Sequence, residues 1–217
     1  MKKNKKFSST IDQLSVHYNI LVKKFGDDVK SSQQSNNETR EKRLIQLTKY
    51  IEIKKNCTIL DFGCGTGYLY EFLKKKKFKG KYLGIDISNE AINLAKKKFF
   101  RKKNASFETQ DIFTQPLKKK FDYIIINGTF NNYTGDNWQW MTKCLELLFR
   151  STKKKIVFNN LSSYVDYFDK SLFYVDPLKL LGYIKKKLSS KCILDHSYSL
   201  KKNTIPYEFT TAIIKKI

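Results

Sequence analysis

Arginine is the scarce cation in this chain of 217 residues: only Arg40, Arg43, Arg101 and Arg150 stand among 43 basic residues, and the formal charge is +23. Surfaces that read phosphate favour the bidentate arginine fork, so a charge built from lysine argues against a dedicated nucleic-acid reader. The lysines run along the whole chain, and with abundant Asn, Ile and Phe they match the residues of A/T-rich codons. A solvated lysine surface is therefore the expectation, with nucleic acid a less favoured partner. The cysteines Cys57, Cys64, Cys144 and Cys192 form no C-x-x-C pair. That spacing excludes a zinc knuckle or a disulfide frame, and it fits a reducing, cytoplasmic setting with no metal site. No apolar run is long enough to span a bilayer, and none follows the basic start Met1-Lys-Lys-Asn-Lys-Lys6, so neither a membrane segment nor a signal peptide is expected. Histidine occurs twice, at His17 and His196. There is no internal repeat.

What is present is the stretch Thr58-Ile-Leu-Asp-Phe-Gly-Cys-Gly-Thr-Gly67. A short apolar strand runs into Asp61, glycines follow at Gly63, Gly65 and Gly67, and Leu69, Phe72 and Leu73 then recur at helical spacing. Glycine allows a tight turn and a close approach of backbone to ligand, and the helix start aims free N–H groups at it. A dinucleotide fingerprint G-x-G-x-x-G counted from Gly63 needs glycine at position 68, where Tyr68 stands. The acidic Asp61 suits a ligand with a cationic part and repels a pyrophosphate. A second apolar run, Lys81 to Ile87, carries Asp86 nineteen residues after Gly67. A carboxylate there can accept both ribose hydroxyl protons of an adenosine.

The Asp-x-Gly-x-Gly-x-Gly pattern resembles the first motif of class I S-adenosylmethionine (AdoMet) methyltransferases. That resemblance implies an α/β, Rossmann-like fold: a seven-stranded, mostly parallel sheet with helices on both faces and a C-terminal antiparallel hairpin. It implies AdoMet as cofactor, bound by Asp61, Gly63, Cys64, Gly65, Thr66, Gly67, Asp86 and Ile87. By position it adds Asp111 for the adenine amino group, the backbone of Ile112 for the ring, and Asn127 and Gly128 at the end of the fourth strand. Where amino-methylating members carry Asn/Asp-Pro-Pro-Tyr/Phe, this chain keeps Asn127 and Phe130 and has Gly128-Thr129 in place of the prolines. From Phe25 onward the pattern also resembles bacterial small-molecule methyltransferases, through Leu161 to Tyr167, Asp176-Pro177, His196 and Tyr207 to Thr210.

Residues 1–8 read as a disordered basic tail, 9–55 as an N-terminal helical cap and 56–217 as the methyltransferase domain. Ser9-Thr-Ile-Asp12 has capping-box spacing, with Ile11, Leu14, Tyr18, Leu21 and Phe25 on one face of the helix that follows. A second helix is expected over 38–51. Strands are expected at 58–61, 82–86, 106–112, 121–126, 156–158, 192–198 and 208–214. Helices are expected at 66–77, after Ser88, over 138–150 and from Asp176-Pro177.

Methyl transfer needs the acceptor lone pair held in line with the S–CH₃ bond and water excluded. A hydroxyl acceptor also needs a base, for which His196 and His17 are the candidates; Asn127 is the candidate catalytic residue for an amine acceptor. Tyr18, Tyr133, Tyr164, Asp166 and Tyr167 are candidate acceptor contacts. The expected reaction is transfer to an O or N atom of a small polar acceptor, such as a sugar or a nucleotide-linked metabolite. The alternative is N-methylation of a nucleic acid or protein docked on the basic surface.

Overall fold

The computed structural model describes residues 7–215. Helix α1 (Ser8–Phe25), a 3-10 turn (Val29–Ser32) and α2 (Asn37–Thr48) precede an alternating series. That series is β1 (Thr58–Phe62), α3 (Tyr68–Lys75), β2 (Lys81–Asp86), α4 (Asn89–Phe99), β3 (Ala105–Thr109), β4 (Phe121–Ile126), α5 (Asn137–Arg150) and β5 (Thr152–Ser162). The chain closes with β6 (Tyr174–Val175), α6 (Pro177–Lys187), β7 (Cys192–Asp195) and β8 (Glu208–Ile214).

The sheet order is β3-β2-β1-β4-β5-β8-β7, with β8 antiparallel to both neighbours. The short β6 pairs parallel with the end of β5 through Leu161–Tyr174 and Ser162–Val175, making eight strands where seven were expected. Chain order reverses between β1 and β4, which opens a crevice at their carboxyl ends.

Both sheet faces are buried, and the alternation of side chains assigns each to a layer. Leu60, Ile124, Ile126, Ile156 and Phe158 face Met141, Leu145, Leu148, Leu180 and Ile184 of α5 and α6. Ile59, Tyr123, Ile125 and Val157 face Leu44 and Leu47 of α2, Phe72 and Leu73 of α3, and Ile92 and Ala95 of α4. Helix α2 thus packs into the same core as β1, so no gap between two cores marks the expected boundary at 55/56.

Several edges move from their expected places. The expected tail lies mostly outside the described residues, but Phe7 is buried and Ser8 already begins α1. The Ser9–Asp12 capping box does not form: α1 has no side-chain cap, and Ser8 Oγ reaches Asp12 from inside the helix. Val22 takes the buried place expected of Leu21. Helix α2 starts one residue earlier than expected, capped by Asn36 Oδ1 accepting from Thr39 N–H at 2.8 Å, and ends at Thr48, three residues short of the expected end. Strand β5 spans eleven residues where 156–158 were expected, because its lysine-rich start pairs with β4 and its far end with β8 and β6. The caps at Ser88 and Asp176 form as read.

Candidate functional site

The crevice at the β1/β4 reversal deepens into a cavity roofed by the N-terminal helices. Leu14, Tyr18 and Val22 of α1, residues 31–34, and Arg40 and Arg43 of α2 form the roof. The glycine loop, Asp86, Ile87, Gln110, Asn127, Gly128 and Thr129 form the floor, and Asn131, Asn132, Trp140, Leu161 and Leu172 the far wall. Asn132 Nδ2 donates to Gln33 Oε1 at 2.9 Å, tying roof to wall.

The glycine loop is held on β2 by Gly63 and Cys64 N–H groups, which both donate to the Ile85 carbonyl. Two of its glycines are required for different reasons. Gly63 has φ +76°, and a Cβ there would lie 2.3 Å from Thr129 Oγ1, itself bonded to the Phe62 carbonyl. Gly67 has φ +85°, and a Cβ there would meet Phe99 and Phe107. Gly67 therefore serves packing behind the loop and does not line the cavity, contrary to its expected cofactor contact. At Gly65 nothing crowds the Cβ position, so the loop presents open backbone to the cavity.

Asp86 ends β2 with both carboxylate oxygens fixed: Oδ2 accepts from Gly65 N–H at 2.8 Å and Oδ1 from Ser88 N–H at 2.9 Å. Each oxygen keeps a second lone pair for a hydroxyl from the cavity. Burial pushes the Asp86 carboxyl above its usual range, against those backbone donors. Asp61 is 2% exposed and accepts from the Tyr82 hydroxyl. Burial pushes its carboxyl up to about 7, with the Asp86 charge adding to the shift. Two carboxylates held this way in a low-dielectric site favour a cationic guest.

Eight buried side-chain polar atoms among the described residues have no partner, and four of them belong to cavity residues. These are Arg40 Nε, Asn127 Oδ1, Asn131 Oδ1 and Trp140 Nε1. Buried polar groups are nearly always bonded, so four orphans around one cavity mark where a polar ligand completes the structure. Arg40 is 9% exposed, with its guanidinium 3.4 Å over the Tyr68 ring and Nη2 on Asn37 Oδ1 at 2.6 Å. Arg43 Nε donates to Glu208 Oε2 at 2.7 Å. Glu208 also accepts from Asn159, whose own oxygen accepts from Gly128 N–H at 2.8 Å, so the β4 loop and α2 share one buried network.

Asp61, Gly63, Cys64, Gly65, Thr66, Asp86, Ile87, Asn127, Gly128 and Tyr18 are brought together as expected from the sequence. Cys64 lies there with its thiol pushed well up by burial, which leaves it unreactive. Asp111 and Ile112 do not line the cavity. The Asp111 carboxylate turns back on its own loop, accepting from Phe113 N–H and Thr114 Oγ1, and Ile112 is buried in the core. Gln110 faces the cavity in their place. Neither histidine reaches it: His17 packs edge-on to Tyr18, and His196 Nε2 contacts the Pro206 carbonyl at 3.0 Å.

Tyr133, Tyr164, Asp166 and Tyr167 also stay outside. The three tyrosines are exposed, and Asp166 accepts from the Tyr207 hydroxyl. Arg40, Arg43, Asn131, Asn132 and Trp140 were not singled out as site residues from the sequence. For the arginines a signal existed: two of only four in the chain sit one turn apart on α2.

An acid-ended strand, an open glycine turn and a second strand-end carboxylate, at the reversal point of a parallel sheet, define a class of nucleoside-binding α/β enzyme. A methyltransferase-domain family model matches residues 53–197. The chain belongs to that family and is an AdoMet-dependent methyltransferase of the Rossmann-like class I.

A Mycobacterium tuberculosis protein bearing a provisional methyltransferase name is 32% identical over 164 residues, 73% of this chain and 93% of that one. A malonyl-[acyl-carrier protein] O-methyltransferase of Ilyobacter polytropus is 28% identical over 75% of this chain, which spans about half (53%) of that enzyme. Magnesium protoporphyrin IX methyltransferase from Synechocystis PCC 6803 with bound S-adenosylhomocysteine (SAH) superposes with TM-score 0.67 at 14% identity, over 96% of this chain and 99% of the other. The plantazolicin methyltransferase BpumL, bound to SAH and a triazolic substrate analogue, gives 0.64 at 20% identity, over 96% and 99%. At these identities the two structures show the common fold.

The cavity fits AdoMet on its own features: open backbone at Gly65, two strand-end carboxylates, and unpartnered buried atoms at Asn127 and Arg40.

Proposed function

We propose that this chain methylates an O or N atom of a small polar acceptor that enters the same cavity as the cofactor. The bound cofactor supplies an electrophilic methyl on a sulfonium. In this reading Asp86 takes the ribose hydroxyls, the Gly63–Gly65 backbone lies along the nucleoside, and Gln110 meets the adenine edge. Asp61 compensates the cationic methionine part, and Arg40 its carboxylate.

The observation that carries the acceptor half is the far wall. Asn131 Oδ1 and Trp140 Nε1 are buried, unpartnered and lie beyond the β4 loop. Polar atoms there position an acceptor, and orientation alone can lower such a barrier by several kcal/mol, on the order of seven to eleven in ideal cases. The cavity wall holds no histidine, and in this reading its carboxylates Asp61 and Asp86 are taken up by the cofactor. That composition suits an attacking atom needing no protein base, an uncharged amine or a carboxylate oxygen. The named relatives act on a malonyl carrier protein, a porphyrin and a peptide-derived product, so their names do not converge on one acceptor.

The macromolecular reading requires lysines leading to Asn127, and the lysine runs precede the strands whose opposite ends hold Asn127. The deciding experiment is transfer of labelled methyl from AdoMet into a fractionated cell extract, with Asp86→Ala as control. Label in the small-molecule fraction that the control lacks supports this reading. Label confined to nucleic acid or protein refutes it.

A further inference from the structure

The fold sorts lysines that look scattered in sequence. Strands β1 to β5 are mutually parallel, and β7 runs with them because both β5 and β7 pair antiparallel with β8. Each of these strands is entered from, or begins with, a basic segment: 54–55, 76–81, 101–103, 118–120, 153–154 and 185–191 in turn. The lysines and the arginine of these segments are exposed and share the end of the molecule opposite the cavity. Among the described residues the ion pairs they make are Lys54–Glu52 at 2.9 Å and Lys154–Asp122 at 3.8 Å.

Like charges crowd each other here. Lys74 is held below the usual lysine range, first by its contact with the Lys102 amine, and Lys215 is lowered by burial and by Lys120. Between two of the loops lies a depression ringed by Ile53, Lys54, Lys55, Lys76, Lys77 and Lys79.

Helix dipoles account for part of this. Helices α3, α4 and α6 end with basic last turns, where cations are favoured. They do not account for 54–55 and 118–120, which lead into β1 and β4, or for 153–154 at the start of β5 itself. The seven strands of the main sheet set the face about 29 Å across, at ~4.8 Å per strand. The six residues of β4 place the cavity ~20 Å behind it.

We propose that this lysine face docks on an anionic phospholipid surface. A bilayer presents a plane of phosphates and asks for many point charges on a broad face, without the arginine fork that phosphate-by-phosphate reading favours. Phe100 supplies the apolar element: it is 74% exposed beside the 101–103 run, with the Arg101 guanidinium 5.0 Å over its ring. One exposed aromatic among lysines suits interfacial insertion, whereas single-stranded nucleic acid asks for a series of stacking rings. The other strongly exposed rings, Tyr133, Tyr164, Tyr167 and Phe168, follow the carboxyl ends of β4 and β5. Docked in this way, the enzyme holds its cavity toward the aqueous phase, whichever acceptor it takes.

The test is co-sedimentation of the full chain with phosphatidylcholine vesicles containing about one-third phosphatidylglycerol, against phosphatidylcholine alone. The expected result is binding to the anionic vesicles only, weakening steeply with salt. Each lysine near such a surface contributes about a fivefold gain, so the triple variant K118S/K119S/K120S loses on the order of a hundredfold in partitioning. Phe100→Ser loses less, and SAH affinity stays unchanged in both variants. Equal sedimentation with both vesicles, or a triple variant that binds like the parent, overturns the proposal. So does RNA that displaces the protein from vesicles at physiological salt, which would identify nucleic acid as the partner.

Discussion

Arg43 and Glu208 form an ion pair at 2.7 Å that joins the second helix to the last strand across 165 residues of sequence. The carboxylate side is 2% exposed and the guanidinium side 17%, so water screens the pair poorly. Glu208 also carries Asn159 and Tyr198, and Asn159 in turn holds the Gly128 N–H on the cavity floor.

Removing Glu208 therefore leaves a cation and two polar groups without their partner. Breaking a buried pair on one side costs about 3–5 kcal/mol, and the partial exposure of Arg43 puts Glu208→Ala at the lower end. Thermal melting should fall by roughly ten degrees for a chain of this size. Glu208→Gln keeps hydrogen-bonding capacity and should lose less. Calorimetry should also register weaker SAH binding for both, since the Gly128 loop loses its brace. A Glu208→Ala protein that melts with the parent would show that Arg43 finds an equal partner in solvent.

Asp86 combines rigid orientation with lone pairs facing the cavity. Asp86→Ala should lower SAH affinity on the order of a hundredfold, the loss of two hydrogen bonds to a charged acceptor. Circular dichroism should stay as in the parent. SAH affinity within twofold of the parent would remove Asp86 from the ribose site.

How much of this was legible in the sequence follows from how far apart the cooperating residues lie. Asp61, the glycines, Asp86 and Asn127 sit at the ends of consecutive parallel strands, and a parallel sheet brings such ends to one edge whatever the loops do. Asp111 had the right position but not the right direction, because its carboxylate closes a local turn that no spacing rule reveals. The expected tyrosines failed for a related reason. Strand β5 runs on to Ser162 and pairs with β6, so Leu161 faces the cavity while Tyr164 and Tyr167 pass outside. Arg40, Asn131 and Trp140 meet only through the packing of α2 and α5 around the sheet, which leaves no periodic trace. The lysines were read as scattered because their order appears only when the strands are aligned.

Arg40 offers a prediction that separates the two ends of the cofactor. Its Nε is buried and unpartnered, and its plane is fixed over Tyr68. If it meets the methionine carboxylate, Arg40→Met should weaken SAH by roughly ten- to a hundredfold, the range of a charge-assisted hydrogen bond. Binding of 5′-methylthioadenosine, which lacks the amino-acid group, should not change. Equal losses for both ligands would mean that the variant has disturbed the loop. Unchanged SAH affinity would assign the arginine to the acceptor.

Gly67→Ala tests the packing role that replaces the expected ligand contact. At φ +85° a side chain is strained, and its Cβ would lie 2.7 Å from Phe99 and 2.9 Å from Phe107. Destabilisation of about 2–4 kcal/mol is expected, from the strained backbone together with overpacking. Denaturant unfolding measures it. A variant as stable as the parent but unable to bind SAH would restore Gly67 to the binding surface.

The last prediction concerns pH, and its sign comes from Asp61. Burial raises this carboxyl to about 7, far above its unfolded value, so the folded apoprotein holds a proton that the unfolded chain releases near pH 4. The Asp61 contribution to stability is therefore full below the unfolded pKa. It is lost as pH rises from there to about 7 and is flat above. Binding runs the other way, because a cationic guest favours the ionised carboxylate and expels the proton. Affinity for AdoMet should rise with pH up to about 7, by at most tenfold per unit, and level off beyond it. Calorimetry in buffers of different ionisation enthalpy should detect the released proton below that point. Asp61→Asn should flatten the profile and abolish the release, while keeping a hydrogen-bond partner for Tyr82. A parent profile already flat across this range would mean that Asp61 is ionised before the cofactor arrives and that another group accommodates its cation.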